Sequence, residues 1–273
     1  MLDKDPKVNK PFVMVHISDI HAGSQYFLAN LLSRTIEELN EIQPDVVIVT
    51  GDLTQMGFRQ EFKTVKTFLD GLACPNLVVV PGNHDARHVG YAHFEEIVGP
   101  RHNVLKLKNI TIVGVDSSEP DLDIGRVGRE RYLWMEEHLQ DCEGFRVVAL
   151  HHHLLPVPGT GRERNIAYDA GDLLEVLLKS HVDLVLHGHK HVPYVWRLES
   201  LLVATAGTVS SLRLRGHTKP CYNLIRMDEE HIKIYRRQPF AGQELIVDFS
   251  IKDKLFCKWE RVESSAFTTK TTR

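Results

Sequence analysis

Apolar and polar residues follow two patterns along this chain. Short continuous apolar runs rich in Val and Ile, such as DVVIVT (45–50), are typical of strands that are buried on both faces. Longer segments place apolar residues three and four positions apart, as LANLLSRTIEELNEI (28–42) does, and this spacing predicts amphipathic helices. Because the two patterns alternate through the first part of the chain, we predict a layered α/β fold.

The same patterns set the bounds of the predicted elements. Strands are predicted at 12–18, 45–50, 76–80, 104–107, 110–115, 146–150 and 183–186, with further short strands at 194–199, 201–206, 222–227 and 231–237. Helices are predicted at 28–42, 61–72, 129–139 and 170–181. No repeat or clear linker divides the chain. We therefore expect one domain over 1–273, with a core over 11–240 and a C-terminal extension, 241–273, whose end is frayed.

Composition is that of an ordinary globular protein. Hydrophobic residues make up 42% of the 273 residues, and the net charge of -3 offers no strong positive field for a nucleic-acid polymer or an anionic membrane. The four cysteines form no C-x-x-C pair, which favours reduced thiols over a structural zinc site. The polar N-terminus lacks a signal-type apolar stretch, and no run approaches the ~20 apolar residues that span a bilayer. We expect a cytoplasmic protein without a membrane span.

Potential metal ligands follow five of the predicted strands, at the point where each strand ends. The five clusters are Asp19-x-His21 in SDIHAG, Asp52 in TGDLT, Asn83-His84-Asp85 in PGNHD, His151-His152-His153 in LHHHLLP, and HGHKH at 187–191. Each cluster alone is a weak signal. Ligand sites in α/β sheets lie beyond the carboxyl ends of strands, so five clusters in this order predict one shared crevice.

The run HGHKH raises the question of how many metals the site holds. In an ideal strand, His187, His189 and His191 would lie on one face, because side chains alternate with a period of two. Gly188 marks the point where the strand ends, however, and strict alternation need not continue through it. The residues alone leave open which of the three histidines binds a metal.

D-x-H, GD, GNHD, a histidine after a strand and GH-x-H, in this order, resemble the calcineurin-like metallophosphoesterase superfamily. These motifs span residues 19–191, and TGDLTQMGFRQEF, VPGNHDAR, GVDSS and HGHKHVP look like its bacterial class III cyclic-nucleotide phosphodiesterase branch. The resemblance implies an α/β fold, a four-layer α-β-β-α sandwich of two mixed β-sheets. It also implies a dinuclear metal centre.

The site residues follow from the same resemblance. It implies one metal held by Asp19, His21 and His191, a second held by Asn83, His151 and His189, and Asp52 as the bridge between them. These oxygen and imidazole ligands, without thiolate, suit two ions per chain from among Mn, Fe and Zn. A hydroxide shared by the ions would attack phosphorus in line. His84, with Asp85 beside it, would complete the catalytic group by assisting the leaving oxygen.

Two departures from the family pattern qualify these roles. Gln55 stands where the protein Ser/Thr phosphatase branch has an aspartate that orients the equivalent of His84, so a phosphatase of that type is not expected. The orienting partner of His84 stays open, with Asp85 as its sequence neighbour. HHHLLP lacks the proline that often follows these histidines, which leaves either His151 or His152 as the ligand. By position we favour His151, with His152 supporting it or contacting the substrate.

Other segments carry weaker signals. Arg213 or Arg215 in GTVSSLRLRGH would suit a substrate phosphate, and the alternative is an exposed strand and turn. The Pro- and Gly-rich segment 156–165 is either a lid or an ordinary surface loop. His16 lies within a predicted strand, and we expect a hydrogen-bonded core residue. LFCKWER (255–261) suits either a packed terminal strand or a contact in a homodimer, and the sequence does not decide between them.

The expected function is metal-dependent hydrolysis of a small phosphodiester, with a 3′,5′-cyclic nucleotide as the first choice. The alternatives are a phosphomonoesterase, a glycerophosphodiesterase, a lipid-linked pyrophosphate hydrolase and a scaffold without activity. All seven implied ligands are present together with His84, which disfavours the scaffold. The mildly acidic charge disfavours a nuclease, so we expect a small phosphoester rather than a nucleic-acid polymer as the partner.

Overall fold

The computed structural model describes residues 11–107, 109–140, 142, 144–160, 166–215, 218–252 and 255–258. The helices are α1 (Ala29–Ile42), α2 (Arg59–Leu69), α3 (Gly90–Ile97), α4 (Arg129–Gln140) and α5 (Ala170–Lys179). The strands are β1 (Phe12–Ile17), β2 (Val46–Thr50), β3 (Leu77–Val80), β4 (Asn103–Leu107), β5 (Ile110–Gly114), β6 (Phe145–Ala149), β7 (Leu184–His187), β8 (Tyr194–Leu198), β9 (Leu201–Thr205), β10 (Tyr222–Met227), β11 (His231–Gln238), β12 (Gly242–Ser250) and β13 (Phe256–Lys258). Within this described part, no helix combines the length and hydropathy that crossing a bilayer requires.

The strands form two mixed sheets. The first has the order β13-β12-β11-β10-β1-β2-β3, in which β1, β2 and β3 are parallel and the remaining pairs are antiparallel. The second has the order β4-β5-β6-β7-β9-β8, with parallel pairing from β5 to β9 and antiparallel pairing at both edges. Strand β2 is buried along its whole length, which is why VVIVT is a continuous apolar run.

Three apolar clusters hold the layers together. Because strand side chains alternate, Val47 and Ile48 belong to different clusters. Val47 packs with Phe62 in the cluster between the first sheet and helices α1 and α2. Ile48 packs with Ile112 between the two sheets, and a third cluster, which includes Met135, joins the second sheet to α4 and α5. The order of layers is α-β-β-α, so the predicted four-layer sandwich of two mixed sheets is confirmed.

The predicted elements agree with the structure to within a few residues, and three elements are additional: α3, β12 and β13, of which β13 lies in the segment 255–261 that the sequence left undecided and pairs with β12. Helix α3 begins with a glycine and buries only Gly90 and Phe94, so its periodicity is weak. Strand β12 falls in the predicted C-terminal extension but pairs with β11, with Ile232 opposite Phe249. Residues 242–250 are therefore part of the first sheet. The predicted frayed end at 264–273 lies outside the described residues.

Candidate metal centre

The loops that carry the predicted ligands meet at one end of the sandwich. They follow β1, β2 and β3 in the first sheet and β6 and β7 in the second, where the carboxyl ends of parallel strands converge. Asp19 N–H donates to the Gly51 carbonyl at 3.0 Å, and Gly188 N–H donates to the His151 carbonyl at 3.1 Å. His189 N–H crosses between the sheets to the Asp19 carboxylate, 3.2 Å away. Hydrogen bonds donated by main-chain N–H groups therefore join loops within each sheet and between the two sheets.

Five of the predicted ligands have left-handed backbone angles. They are Asp19, His21, Asp52, His189 and His191, with φ between 51° and 73°. Residues other than glycine seldom adopt this conformation, and in folded proteins it is concentrated at functional sites. Five of the eleven non-glycine residues with positive φ in the described part of the chain are therefore predicted ligands.

HGHKH is a turn that follows β7, and its histidines separate. His187 is the last residue of β7. His189 and His191 lie beyond the strand and belong to two different ligand clusters. Gly188 is required between His187 and His189, since a side chain there would collide with the Ser18 hydroxyl. The prediction that strict alternation ends at Gly188 is confirmed.

The first cluster brings together Asp19, His21, Asp52 and His191. His21 Nε2 lies 2.9 Å from His191 Nε2 and 3.6 Å from Asp52 Oδ2, and His191 Nε2 lies 3.3 Å from Asp19 Oδ1. All four side chains are buried. His191 Nδ1 donates to the Arg213 carbonyl at 2.7 Å, so Nε2 is the ring nitrogen that faces the cluster.

The second cluster brings together Asp52, His151 and His189, with the Asn83 side chain between the two histidines. Asn83 Oδ1 lies 3.2 Å from His151 Nε2 and 3.0 Å from His189 Nδ1, and His151 Nε2 lies 3.4 Å from Asp52 Oδ2. His151 Nδ1 donates to the Thr50 carbonyl at 2.7 Å, which directs Nε2 into the cluster. Of the two histidines that the sequence left open, His151 is the one that faces this cluster.

The two clusters share one oxygen atom. Asp52 Oδ2 is the carboxylate oxygen near both His21 and His151, and Asp52 Oδ1 accepts the His84 N–H at 2.9 Å. A carboxylate common to two ligand sets is suited to bridging a pair of ions. Asp52 therefore links the two clusters and positions His84.

The donor atoms fit metal ions. Two ligands bound ~2.1 Å from one ion lie about 3.0–3.4 Å apart, close to the distances within both clusters. Carboxylate, amide and ring-nitrogen lone pairs face one another there, and a cation would satisfy them together. The set contains imidazole and oxygen but no thiolate, which suits Mn, Fe or Zn.

The carboxylates control the pKa values of the histidines around them. Burial works to lower the pKa of His151, but Asp52 and Asp19 outweigh it and raise this pKa to about 9. Asp19 likewise raises the pKa of His191 against the effect of burial. Burial lowers the pKa of His21 to about 3. Among the predicted histidine ligands, His151 and His191 are therefore the two whose pKa is raised.

His84 is oriented by the main chain of the neighbouring loop. Its Nδ1 donates to the Gln55 carbonyl at 2.7 Å, which leaves Nε2 for the cleft. The His84 ring meets the His21 ring edge-on, with centroids 4.7 Å apart. The partner that the sequence left open is therefore a main-chain oxygen. This oxygen belongs to Gln55, the residue that stands where the protein Ser/Thr phosphatase branch has an aspartate.

The structure corrects the catalytic role predicted for Asp85. Its Oδ1 accepts the N–H and the hydroxyl of Thr54 at 2.9 and 2.7 Å, and its Oδ2 accepts N–H groups of Leu53 and Gly82 at 3.1 and 2.9 Å. Burial, followed by repulsion from Asp52, raises the pKa of Asp85 to about 7. With both oxygens engaged, Asp85 joins the GDLT and GNHD loops and does not assist His84.

His152 is also turned away from the substrate position predicted for it. The side chain is fully buried, and its Nδ1 lies 2.9 Å from Ser117 Oγ. The ring packs against Gly125, where a side chain would collide with it. The centroid of the His152 ring lies 4.7 Å from that of the His189 ring, so His152 packs against this predicted ligand. Ser117 belongs to GVDSS, one of the segments that carry the resemblance, whereas Gly125 lies in no recognised motif.

A small cleft, about 80 Å³ in volume, opens beside the clusters. Besides five of the predicted ligands, it is lined by His84, Arg87, Asp123, Arg213 and Arg215. The two arginines predicted as phosphate contacts, Arg213 and Arg215, therefore lie at the cleft. Arg87 and Asp123 were not predicted.

Asp123 orients the Asn83 side chain. Its Oδ1 accepts a hydrogen bond from Asn83 Nδ2 at 3.1 Å and another from an Arg87 guanidinium nitrogen at 3.1 Å. Because the amide nitrogen is engaged, the amide oxygen is directed toward the histidines of the second cluster. Asp123 lies 40 residues after Asn83 in a segment without a motif, which is why sequence reasoning missed it.

A family model for calcineurin-like phosphoesterases matches residues 12–193, the part of the chain that contains every predicted ligand. The chain belongs to the calcineurin-like phosphoesterase family. The resemblance inferred from the five motifs is therefore confirmed. Along the chain, the five motifs follow β1, β2, β3, β6 and β7, and the loops that carry them meet at one end of the sandwich.

Two curated relatives of this calcineurin-like phosphoesterase are named as phosphodiesterases. The chain is 31% identical over 229 residues to the probable glycerophosphodiester phosphodiesterase GpdQ of Arcobacter nitrofigilis, covering 76% of the chain and 83% of the relative. It is 30% identical over 192 residues to the 3′,5′-cyclic adenosine monophosphate phosphodiesterase CpdA of Escherichia coli K12, covering 65% of the chain and 69% of the relative.

Solved structures confirm the fold at lower sequence identity. A dimetal phosphatase from Danio rerio superposes with a TM-score of 0.67 at 14% identity, over 87% of this calcineurin-like phosphoesterase and 99% of that chain. The purple acid phosphatase PPD1 from yellow lupin seeds superposes with a TM-score of 0.70 at 14% identity, over 93% of this chain and 56% of that one. At such identities the likeness concerns the fold alone.

Proposed function

We propose that this calcineurin-like phosphoesterase is a metal-dependent phosphodiesterase that hydrolyses a small phosphodiester, with a 3′,5′-cyclic nucleotide as the first choice. The observation that carries the proposal is the pair of ligand clusters joined through Asp52 Oδ2 beside a small cleft. The cyclic nucleotide is supported by the likeness to CpdA.

Two ions would occupy the two clusters. The proposed ligands are Asp19, His21 and His191 for one ion, Asn83, His151 and His189 for the other, and Asp52 for both. When bound, such a pair of ions polarises the phosphoryl group and increases the acidity of water. Mn, Fe and Zn are the proposed metals because the ligands are carboxylate, amide and imidazole groups.

The chain holds these ligands in position through contacts of their outer atoms. The Thr50 and Arg213 carbonyls determine which ring nitrogen of His151 and His191 faces inward. Asp123 does the same for the amide of Asn83. Since the ligands are oriented in advance, little reorganisation would accompany the reaction.

His84 is the proposed proton donor. The Gln55 carbonyl accepts from Nδ1 and fixes the ring, so a proton held at Nε2 would be available to the leaving oxygen of the ester. Arg213 and Arg215 would bind the non-reacting anionic oxygens of the substrate, because guanidinium groups match the geometry of phosphate.

A glycerophosphodiester is the second candidate substrate, because the chain is also 31% identical to the probable glycerophosphodiester phosphodiesterase GpdQ. In either case the proposed partner is a small phosphoester and not a nucleic-acid polymer. The cytoplasmic location and the homodimer suggested by the sequence stay predictions.

A substrate panel tests the proposal. Protein loaded with Mn, Fe or Zn is assayed against cyclic AMP, glycerophosphocholine, bis(p-nitrophenyl) phosphate and p-nitrophenyl phosphate. We expect kcat/KM for at least one diester to exceed that for the monoester by about tenfold or more. Activity confined to p-nitrophenyl phosphate would contradict the phosphodiesterase, and no activity with any ion would contradict an enzyme.

A further inference from the structure

Large exposed hydrophobic side chains are concentrated at the end of the sandwich that carries the cleft. Twelve such side chains occur among the described residues, and eight of them lie in the loops that follow β1, β2, β3, β5, β6 and β9. These loops are at the same end of the sandwich as the two ligand clusters. Single exposed leucines are ordinary, but a group of them beside a functional cleft indicates an interaction surface.

One side of this surface is the segment 211–214, SLRL. Leu212 N–H donates to the Tyr26 carbonyl at 2.9 Å, and the Arg213 carbonyl accepts from His191 Nδ1 at 2.7 Å. The segment is therefore attached to a proposed metal ligand. Leu212 and Leu214, on either side of Arg213, are 49% and 37% exposed.

A second side is formed by the loop after β5. Leu122 and Ile124 are 48% and 37% exposed and flank Asp123, which lines the cleft. Tyr168, which is 80% exposed, donates its N–H to the Gly125 carbonyl at 2.7 Å and extends this side. We refer to segment 211–215 together with Leu122 and Ile124 as the rim.

The charge of the rim is positive. Arg213 and Arg215 line the cleft, and neither guanidinium forms an ion pair with any residue that the structure describes. The Asp123 carboxylate is already paired with Arg87 at 3.1 Å. The whole chain has a net charge of -3, so this pair of arginines is a local departure from its average.

We propose that the rim docks on the surface of an anionic phospholipid bilayer. Leu212 and Leu214 would enter the headgroup region, and the positive charge of Arg213 and Arg215 at the cleft would attract the anionic surface, the combination of apolar insertion and cationic attraction that interfacial binding uses. Docking itself does not require catalysis. It would bring phosphodiesters at the bilayer surface to the cleft, and this consequence rests on the proposed function.

A second copy of the chain is a poorer occupant of the rim. A symmetric contact through this surface would bring the arginines of both copies together, since each patch faces its own equivalent. The two arginines have no carboxylate partner within the described rim, so like charges would oppose one another across the interface. Lipid phosphates supply the missing negative charge.

Vesicle co-sedimentation tests the proposal with full-length, metal-loaded protein. Vesicles of phosphatidylglycerol and phosphatidylcholine are compared with vesicles of phosphatidylcholine alone. The variant is Leu212→Ser with Leu214→Ser, and the matched control is Leu133→Ser, a 68% exposed leucine on α4. We expect the wild type and the control to bind the anionic vesicles and the double variant to bind at least about tenfold more weakly. Hydrolysis of bis(p-nitrophenyl) phosphate should be equal in all three.

Two results would overturn the proposal: no binding of the wild type to anionic vesicles, or equal binding by the wild type and the double variant. A wild-type dimer that the double variant converts to a monomer, without vesicle binding, would assign the rim to a second copy. Absence of hydrolysis in the wild type would refute the proposed function and leave the vesicle result intact, so the two failures are distinguishable.

Discussion

Asp52 is the residue on which the geometry of the site depends most. Its Oδ2 lies 3.6 Å from His21 Nε2 and 3.4 Å from His151 Nε2, and its Oδ1 accepts the His84 N–H at 2.9 Å. Burial alone would raise the pKa of this carboxyl, but His151 and the other nearby histidines hold it well below its usual range. A single charged carboxylate therefore positions both clusters and the proposed proton donor.

Replacing His84 tests that donor. His84→Ala should lower kcat by about 10²–10⁴ while metal content stays at the wild-type level, because the ring assists proton transfer and is not a proposed ligand. The measurement is turnover of bis(p-nitrophenyl) phosphate alongside metal analysis. His88→Ala is the matched control, since His88 is exposed in the same loop and does not line the cleft. Unchanged turnover in His84→Ala would exclude the role.

Asp123 provides a test of ligand orientation. Asp123→Ala removes the acceptor for Asn83 Nδ2, so the affinity of the second ion should fall by about 10–100-fold, the usual effect of losing an outer contact of a ligand. Metal titration of the stripped protein measures this change. Asp121→Ala is the control, because Asp121 accepts the His88 N–H and contacts no proposed ligand side chain. Equal affinities in the two variants would contradict the assignment.

Metal binding should release protons at neutral pH. The pKa of His151 is raised to about 9, so this ligand is protonated at pH 7 and an incoming ion must displace its proton. Metal affinity should therefore increase as the pH rises toward 9 and level off above it. Calorimetric titration in buffers of different ionisation enthalpy measures the protons released. A buffer-independent heat at pH 7 would contradict the expectation.

At the scale of elements, the strands and the clusters of potential ligands at their ends were predictable, while the arrangement of the loops was not. β2 is buried on both faces, so its sequence VVIVT is distinctive without knowledge of its neighbours. The left-handed angles of Asp19 and His189 depend instead on contacts between loops that are far apart in the sequence. Asp85 shows the consequence, because sequence adjacency to His84 suggested catalysis and the structure turns it toward the GDLT loop.

Gly82→Ala tests the packing of the GDLT and GNHD loops. A side chain at Gly82 would collide with the Asp52 carboxylate and main chain, so the variant should lose about 1–3 kcal/mol of folding free energy and much of its metal. Thermal unfolding and metal analysis measure the two effects. Gly171→Ala is the control, because no atom lies within 4 Å of a side chain added there. Wild-type stability and metal content in Gly82→Ala would contradict the close approach.

At the scale of the whole molecule, the net charge does not show where charged and apolar side chains come together on the surface. The order of the five motifs indicated the four-layer fold through the resemblance to the calcineurin-like metallophosphoesterase superfamily. The net charge of -3 suggested no affinity for an anionic membrane. Only the folded chain brings Arg213 and Arg215 to a cleft bordered by exposed leucines, and the place of β12 in the first sheet likewise depends on pairing with β11.

The most direct test of the account is metal analysis and activity of Asp52→Asn, because one carboxylate is claimed to join two metal sites in one catalytic centre. After loading with Mn, the wild type should bind about two ions per chain. The variant should lose most of its metal and its phosphodiesterase activity while its circular dichroism spectrum stays the same. A variant with full metal content and full activity, or a wild-type chain that binds no metal, would contradict the account.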